Sequence, residues 1–544
     1  MDCNVDFIEK KWLLRKYQLQ EYFASLEPIH TIVSSLGIQL KYSGYFALIP
    51  SNFDIDAHLA NYPLTNYKFI VDNAGHIKSV NLNGTAGAVF DKDRLIYIMS
   101  LVSSIPAKNK DSITEEGYVF INSTLIRNFF KDYLSYLNYL VSTGVLCTDG
   151  QYIQGVKSIG YKFTERYENV SLVRYDYPAF QGEAKAIPLE VFSEEDGKFI
   201  PNTVVNYPYL AYWYGTKELH IDEQAAVNYA HTIMQDKFNK GREYWDINRD
   251  KSHGNFVKRK YPLTQYHAAL HNINSIALGD YKVSIDTNVH RLHSVITNLQ
   301  KIYRRFLNYN STPLVNIDIS NSQPYLLCLL LDPRFWDKNS DIPLNIGMLP
   351  QNVQDKFSEE QLEEIKTYVS LLDRNDSTLS EYVQKVSHGQ IYEYMIQIIN
   401  YAQRVNLSRD DVKVMILTTL FSKNRYMPTY KRYFKMNFLP IYELIELTKK
   451  DDHTALSCLL QSIESEIILH RCCKRIWEEG NHQVPVFTIH DSIATTVEHV
   501  EYVKRIMEEE LSRAIGVSPI LSIEHWNQTK LEYPTIYAST TEGD

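Results

Sequence analysis

Residues 484–499 read VPVFTIHDSIATTVEH: an apolar, β-branched run, then His490-Asp491-Ser492, then a second such run. That pattern spells a hairpin. Two-residue hairpin turns favour Asn-Gly or Asp-Gly, because their central residues take positive φ. Here there is no glycine, and an acid directly follows a histidine. An Asp also suits a turn through its own backbone hydrogen bonds. From this stretch alone, a turn former and a functional acid are both open.

Three further stretches bear on the choice. PLVNIDISNSQPYLLCLLL (313–331) sets one acid, Asp318, inside a buried-strand pattern. A lone buried carboxylate is costly unless it is paired or bound to a cation; the alternative is a strand-end Asp that caps the following helix. In SRDDVKVMILTTLFSKN (408–424), Arg409, Lys413, Leu417 and Phe421 recur every four residues and share one helical face. That face begins cationic and ends aromatic, as phosphates followed by a base would require; an amphipathic helix with two solvated cations is the alternative. HRLHSVITNLQKIYRRFL (290–307) holds Arg291, Asn298 and Gln300 and leads into the Asp318 strand.

In this order the stretches resemble family A DNA polymerases and the single-subunit, phage-type RNA polymerases. RLHSVITNLQ resembles the RLSS…NLQ signature that opens the palm of the DNA enzymes. VNIDIS resembles their first metal-binding strand, and RDDVKVMILTTLF the spacing of their fingers helix. FTIHDS resembles the second metal-binding turn and is closest to the phage-type RNA polymerases, which end it in Ser. LLQSIESEIIL (459–469) resembles the glutamine-bearing helix before the last motif. The resemblance covers residues 286–540, about half the chain.

It implies an α+β right-hand fold of palm, fingers and thumb, with an N-terminal extension. The implied reaction is template-directed nucleotidyl transfer with release of pyrophosphate. Asp318 and Asp491 would face each other across a small sheet and hold two Mg²⁺ ions, with Mn²⁺ as a substitute and the Ile319 carbonyl as a further ligand. Two carboxylates held together repel and have raised pKa values; divalent ions remove that cost. Arg409 and Lys413 would bind the incoming triphosphate, with Lys413 the proton donor to pyrophosphate. Phe421 would stack on the incoming base or sugar. Arg291 and Gln461 would track the duplex near the growing end, and His490 would contact the 3′-terminal phosphate. The implied partners are a DNA or RNA template-primer and nucleoside triphosphates, bound by a monomer.

Departures from the family pattern bear on the sugar. Five residues after the first metal Asp, the family A DNA polymerases carry a Glu that crowds the 2′ position and the phage-type RNA polymerases a Gly; this chain has Gln323. Gln323 is bulky, and Phe421 lacks the hydroxyl of the usual Tyr; both lean toward deoxynucleotides, whereas Ser492 leans toward RNA synthesis. Ser422 stands where a hinge glycine is usual. A DNA polymerase without proofreading is the first expectation and a single-subunit RNA polymerase or primase-like enzyme the second. An untemplated nucleotidyltransferase and a non-catalytic nucleic-acid-binding protein are further alternatives.

Length and composition set the frame. With 544 residues the chain suggests three or four domains. The expected division is an α/β region at 1–110, a winged-helix-like module at 111–185 (two helices, the second spaced at Tyr133, Leu137, Leu140 and Val141, then a hairpin wing), and a thumb-like helical region at 186–285. Palm follows at 286–345, fingers at 346–445, and palm again at 446–544. The polar segment 332–380 reads as an insertion or a mobile connection. The acids of Asp54-Ile55-Asp56 lack the companions a nuclease site needs. Six scattered cysteines without a CxxC pair argue against structural zinc or a disulfide framework. With no secretory signal and no apolar run long enough to span a bilayer, a cytoplasmic setting is expected, with a phage or mobile-element origin in keeping with the size. The net charge of −9 is not that of a protein coated for nucleic acid. Basic patches with interleaved tyrosine at 251–261, 301–306 and 423–435 suit phosphate contact plus base stacking; solvated faces beside core tyrosines are the alternative.

Overall fold

Asp54 and Asp56 do local work: Asp54 caps the helix Ile55–Asn61 by accepting from the Ala57 N–H at 2.9 Å, and Asp56 pairs with Lys92. The computed structural model describes residues 46–80, 85–123, 126, 131–153, 157–176, 190–193, 198–247 and 259–528. After this first turn the chain forms helix α1 (Lys92–Lys108), strand β1 (Val119–Phe120), helix α2 (Tyr133–Ser142) and strands β2 (Leu146–Thr148) and β3 (Gly160–Phe163). The three strands make an antiparallel sheet in the order β1-β3-β2. Tyr133, Leu137 and Leu140 are buried as their spacing predicts, and Val141 is half-buried. The helix expected just before α2 lies mostly outside the described residues.

One core takes Leu95, Met99 and Val102 of α1 together with Tyr136, Leu140, Leu146 and Phe163, so residues on both sides of 110 share it. A larger core gathers residues from Val204 to Trp526. The strand Phe46–Pro50 joins the two, because alternate side chains of a strand point to opposite faces. Phe46 and Leu48 enter the large core, while Ala47 and Ile49 enter the small one.

Within the large core, helices α3 (Glu223–Lys240) and α4 (Pro262–Ala277) pack together, and Asp222 caps α3 through the Ala225 N–H at 3.1 Å. The central sheet is built from β4 (Leu219–Ile221), β5 (Leu307–Tyr309), β6 (Thr312–Ile319), β7 (Phe487–Ile489), β8 (Ser492–Thr496) and β9 (Leu521–His525). Its order is β4-β5-β6-β8-β7, with β9 also paired to β6. Successive side chains of β6 point to opposite faces, yet Leu314, Val315, Ile317 and Ile319 all enter the large core, so both faces of the strand are covered and burial does not alternate.

Of the two expectations for 332–380, the structure contradicts the mobile connection. The segment holds α5 (Glu359–Ser370), and α6 (Ser377–Ser387) begins within it. Leu362, Ile365 and Val369 of α5 and Leu379, Tyr382 and Val386 of α6 are buried in the large core. Those 3- and 4-residue spacings are amphipathic-helix spacings; the polar letters between them are the solvent faces. Helices α7 (Arg409–Phe421) and α8 (Ala455–Ser465) complete the surroundings of the site, and α8 continues into a π-helical stretch at Glu466–Cys473.

The basic patch at 423–435 is partly internal. Lys431 is fully buried and donates to the carbonyls of Lys423 (3.2 Å) and Tyr426 (3.0 Å). Lys449, also buried, donates to the Thr419 (3.1 Å) and Ser422 (2.9 Å) carbonyls. Lys449 thereby satisfies carbonyls at the C-terminus of α7, and Lys431 those of the loop that follows it.

Candidate active site

The hairpin is real and its turn is two residues long. Ile489 of β7 pairs with Ser492 of β8, leaving His490-Asp491 between them. His490 supplies the left-handed conformation that a glycine would otherwise take (φ 56°). The Ser492 hydroxyl closes the turn by donating to the Ile489 carbonyl at 3.0 Å.

Strand register then determines what Asp491 meets. Asp318 of β6 lies opposite Ser492 of β8, so Asp491 stands one residue from the direct partner of Asp318. Both residues are half-buried, and protein surrounds their carboxylates on most sides. Burial first, and the Asp491 charge second, push the Asp318 carboxyl up to about 7, against the opposing pull of Lys413 and Lys301. Burial likewise raises Asp491, opposed by the Ser322 hydroxyl and by the charges of Arg291 and Lys413. Among the described residues neither forms a salt bridge.

A third acid, absent from the expectations above, belongs to this cluster. Glu464 on α8 is 1% exposed. It accepts from Arg291 Nη2, from the Ser322 hydroxyl (3.3 Å) and from Gln323 Nε2 (2.6 Å). Burial, then the charge of Asp491, raises it to about 7. Its signal lay in α8 itself: an acid four residues after Leu460, on a face otherwise made of Leu456, Leu460, Ile463 and Ile467.

The remaining expected residues fall as follows. Lys413 is exposed on α7, and its charge acts on both Asp318 and Asp491. Arg409, one turn earlier, bonds Glu393 through Nε at 2.7 Å and lies 4.9 Å from the ring centre of Tyr392. Phe421 is half-buried and packs against the large core. Gln323 is tethered to Glu464, and its Oε1 is buried without a hydrogen-bond partner. Arg291 is drawn to Glu464, three residues beyond the half-buried Gln461. Ile319 ends β6, buried beside Leu521 of β9. His490 stands at the turn, its ring covered by protein on most sides and set among cations. Burial, then Arg291, His293, Arg304 and Lys110, lower its pKa to about 4, so its ring is neutral at pH 7.

The backbone bends sharply at three points around the cluster. His290, Asn321 and His490 all take positive φ (57°, 48° and 56°), and each precedes a residue of interest: Arg291, the Ser322-Gln323 pair and Asp491. Non-glycine residues in this region carry strain that surrounding contacts must hold. At Asn321 the side chain does so, donating to the Val386 carbonyl of α6 at 2.8 Å.

The donor set is made of carboxylate oxygens and a backbone carbonyl, which fits a hard divalent cation. Its charge state gives a pH prediction. Without metal, the folded protein holds protons on Asp318 and Glu464 up to about pH 7, whereas the unfolded chain releases them near their ordinary values of 3.8 and 4.5. Between those limits the folded state binds more protons, so its stability falls as pH rises through that window and levels off above it. A divalent cation held at Asp318 would displace its proton, so its affinity would rise about tenfold per pH unit below 7. Thermal unfolding with and without 10 mM Mg²⁺ should therefore show a metal-dependent gain that is small at pH 5.5 and large at pH 8. A gain that is the same at both values contradicts the assignment.

No protein-family model matches this chain, and no curated protein sequence matches it. Among solved structures, the chain is similar to the POL domain of Pol1 from M. smegmatis in complex with DNA primer-template and dNTP. The identity is 9% and the TM-score 0.29, over 59% of this chain and 70% of that one. A score that low does not establish a common fold. No described helix is long and apolar enough to cross a membrane.

Proposed function

We propose that this chain is a template-directed nucleic acid polymerase, joining nucleoside triphosphates to a 3′ end with release of pyrophosphate, and first of all a DNA-directed DNA polymerase of the family A type. One observation carries the proposal. Asp318 on β6 and Asp491 in the turn just before β8, far apart in sequence, come within one register position of each other, with raised pKa values and no salt-bridge partner among the described residues, beside a helix whose Lys413 acts on both. In this reading Asp318, Asp491 and the Ile319 carbonyl hold two Mg²⁺ ions, with Mn²⁺ able to replace them. Bound there, the cations supply charge neutralisation at the reacting phosphate and activation of the 3′-hydroxyl.

The protein's own groups do the positioning, the larger part of catalysis in such a transfer. Lys413 binds the triphosphate and gives its proton to the departing pyrophosphate. Arg409 reaches the same phosphates with Nη1 and Nη2, which make no hydrogen bond among the described residues. Phe421 stacks on the incoming base or sugar. Arg291, steadied by Glu464, follows the duplex together with Gln461. His490, neutral at pH 7, serves the 3′-terminal phosphate as a hydrogen-bond donor and not as a counter-ion.

The division into thumb (186–285), palm (286–345 and 446–544) and fingers (346–445) belongs to the same reading. The strand–helix–hairpin order of β1, α2, β2 and β3 and the β1-β3-β2 sheet support a winged-helix-like module at 111–185, which in this reading contacts the template.

Gln323 supports two views of the sugar. Its tether to Glu464 keeps a bulky side chain rigid, as a gate against a 2′-hydroxyl requires. Its unpartnered Oε1 favours the second reading, ribonucleotide use, because a 2′-hydroxyl could donate to it. Gln323→Gly separates them. The ratio of ribonucleotide to deoxynucleotide incorporation rises about tenfold or more if Gln323 excludes the 2′-hydroxyl, and falls if Gln323 binds it. Primer extension on DNA and RNA templates, with dNTPs and rNTPs supplied separately, tests the function. Deoxynucleotide extension of a primed DNA template is expected. Template-independent addition would make the chain an untemplated transferase, and duplex binding without incorporation in Mg²⁺ or Mn²⁺ would make it a binding protein.

A further inference from the structure

Outside the carboxylate cluster, a cavity of about 170 Å³ lies between the end of α1, helix α4 and Gln300. An engineered void of about 150 Å³ accepts benzene, so this one has room for a small anion. Its polar lining includes Lys110, Lys260, Gln265, Gln300 and Asp246. Asp246 is already paired with Lys237 at 2.9 Å and accepts from Gln265 Nε2 at 2.6 Å. Lys260 bonds Asp111 at 2.7 Å.

Lys110 differs. It is half-buried and has neither an ion pair nor a side-chain hydrogen bond among the described residues. The neighbouring acid, Asp111, is held by Lys260. Burial, then the charges of Arg304 and Lys260, lower its pKa to about 8, so it is still mostly charged at pH 7. Arg304 adds a guanidinium whose Nε is buried without a partner. Sheltering cations from water without a counter-charge is costly, and an anion in the cavity offsets that cost. The Lys110 side of the cavity lies within electrostatic range of the hairpin. Lys110 and Arg304 both act on His490, and Arg304 feels the charge of Asp318. Phosphates of a strand whose end lies at Asp318 and Asp491 would pass this flank.

We propose that the cavity is a phosphate-binding site in which Lys110, Lys260 and Gln300 hold a single phosphate group, from a nucleic acid strand or free in solution. The strand source rests on the polymerase reading; the phosphate site does not. It gives the N-terminal region, through Lys110, a direct part in ligand binding.

The test is titration of the full-length protein with inorganic phosphate at constant ionic strength, followed by thermal unfolding and tryptophan fluorescence. Wild type and Lys110→Arg should bind saturably, and Lys110→Met about tenfold to a hundredfold more weakly, as expected for loss of one charge-assisted contact. Gln300→Leu leaves every cation in place and should weaken binding severalfold, which provides a reading even if Lys110→Met does not fold. A second arm titrates a single-stranded oligonucleotide at several salt concentrations. If the phosphate belongs to a strand, Lys110→Met lowers the salt slope by about one; if it is free phosphate, the slope is unchanged while phosphate binding is lost. Absence of saturable phosphate binding by wild type, or equal binding by wild type and both weakened variants, overturns the proposal. Asp491→Asn keeps phosphate binding while losing incorporation, so failure of this site and failure of the polymerase reading are told apart.

Discussion

Asp318→Asn and Asp491→Asn should each lower nucleotide incorporation at least about a thousandfold, as expected when charge stabilisation of a phosphoryl-transfer transition state is lost. The double variant is hardly worse than either single one, because groups that act as a unit are strongly non-additive. The fold survives. Asn nearly matches Asp in shape, and removing one of two mutually repelling carboxylates relieves a cost that the raised pKa of Asp318 records. Thermal unfolding of the metal-free variants at pH 8 should therefore give a midpoint equal to or above that of wild type. Single-turnover incorporation measures the first effect. A variant retaining more than about a tenth of wild-type rate contradicts the pairing as the reactive centre.

Lys413→Leu lowers kcat about a hundredfold to ten-thousandfold, the range for loss of a general acid, and raises KM for the triphosphate. Lys413 is exposed, so stability changes little. Lys413→Arg separates its two roles. The guanidinium restores triphosphate affinity but, with a pKa above about 12, does not surrender a proton readily. KM should return toward wild type while kcat stays low. Recovery of both by Lys413→Arg would reduce Lys413 to a binding charge.

The parts of this arrangement legible in the sequence are those in which chemistry leaves a local mark. Asp318 inside an apolar strand and Asp491 in a glycine-free turn both break a pattern, and strand register brings them together. The four-residue spacing from Arg409 to Phe421 is a helix, as its period dictates. Glu464 escaped because an acid in a helix is ordinarily read as solvent-facing; only its register against Leu460 and Ile463 marks it as inward. Residues 332–380 look like a mobile connection by polar composition, but the spacing of Leu362, Ile365 and Val369 makes them packed helix. The cations of 423–435 look alike as letters, yet Lys431 is fully buried. Lys110 fell on a boundary drawn from composition, which carries no information about packing across it, and there Asn272 of α4 donates to the Ala107 carbonyl at 3.1 Å.

Crystals grown with Mn²⁺ and a non-hydrolysable nucleotide, recorded at the manganese absorption edge, address the shared-cation claim most directly. The account predicts anomalous peaks within coordinating distance of carboxylate oxygens from both Asp318 and Asp491. Ordered nucleotide with manganese bound elsewhere, or with the two side chains turned apart and each bonded to a protein cation, would contradict it.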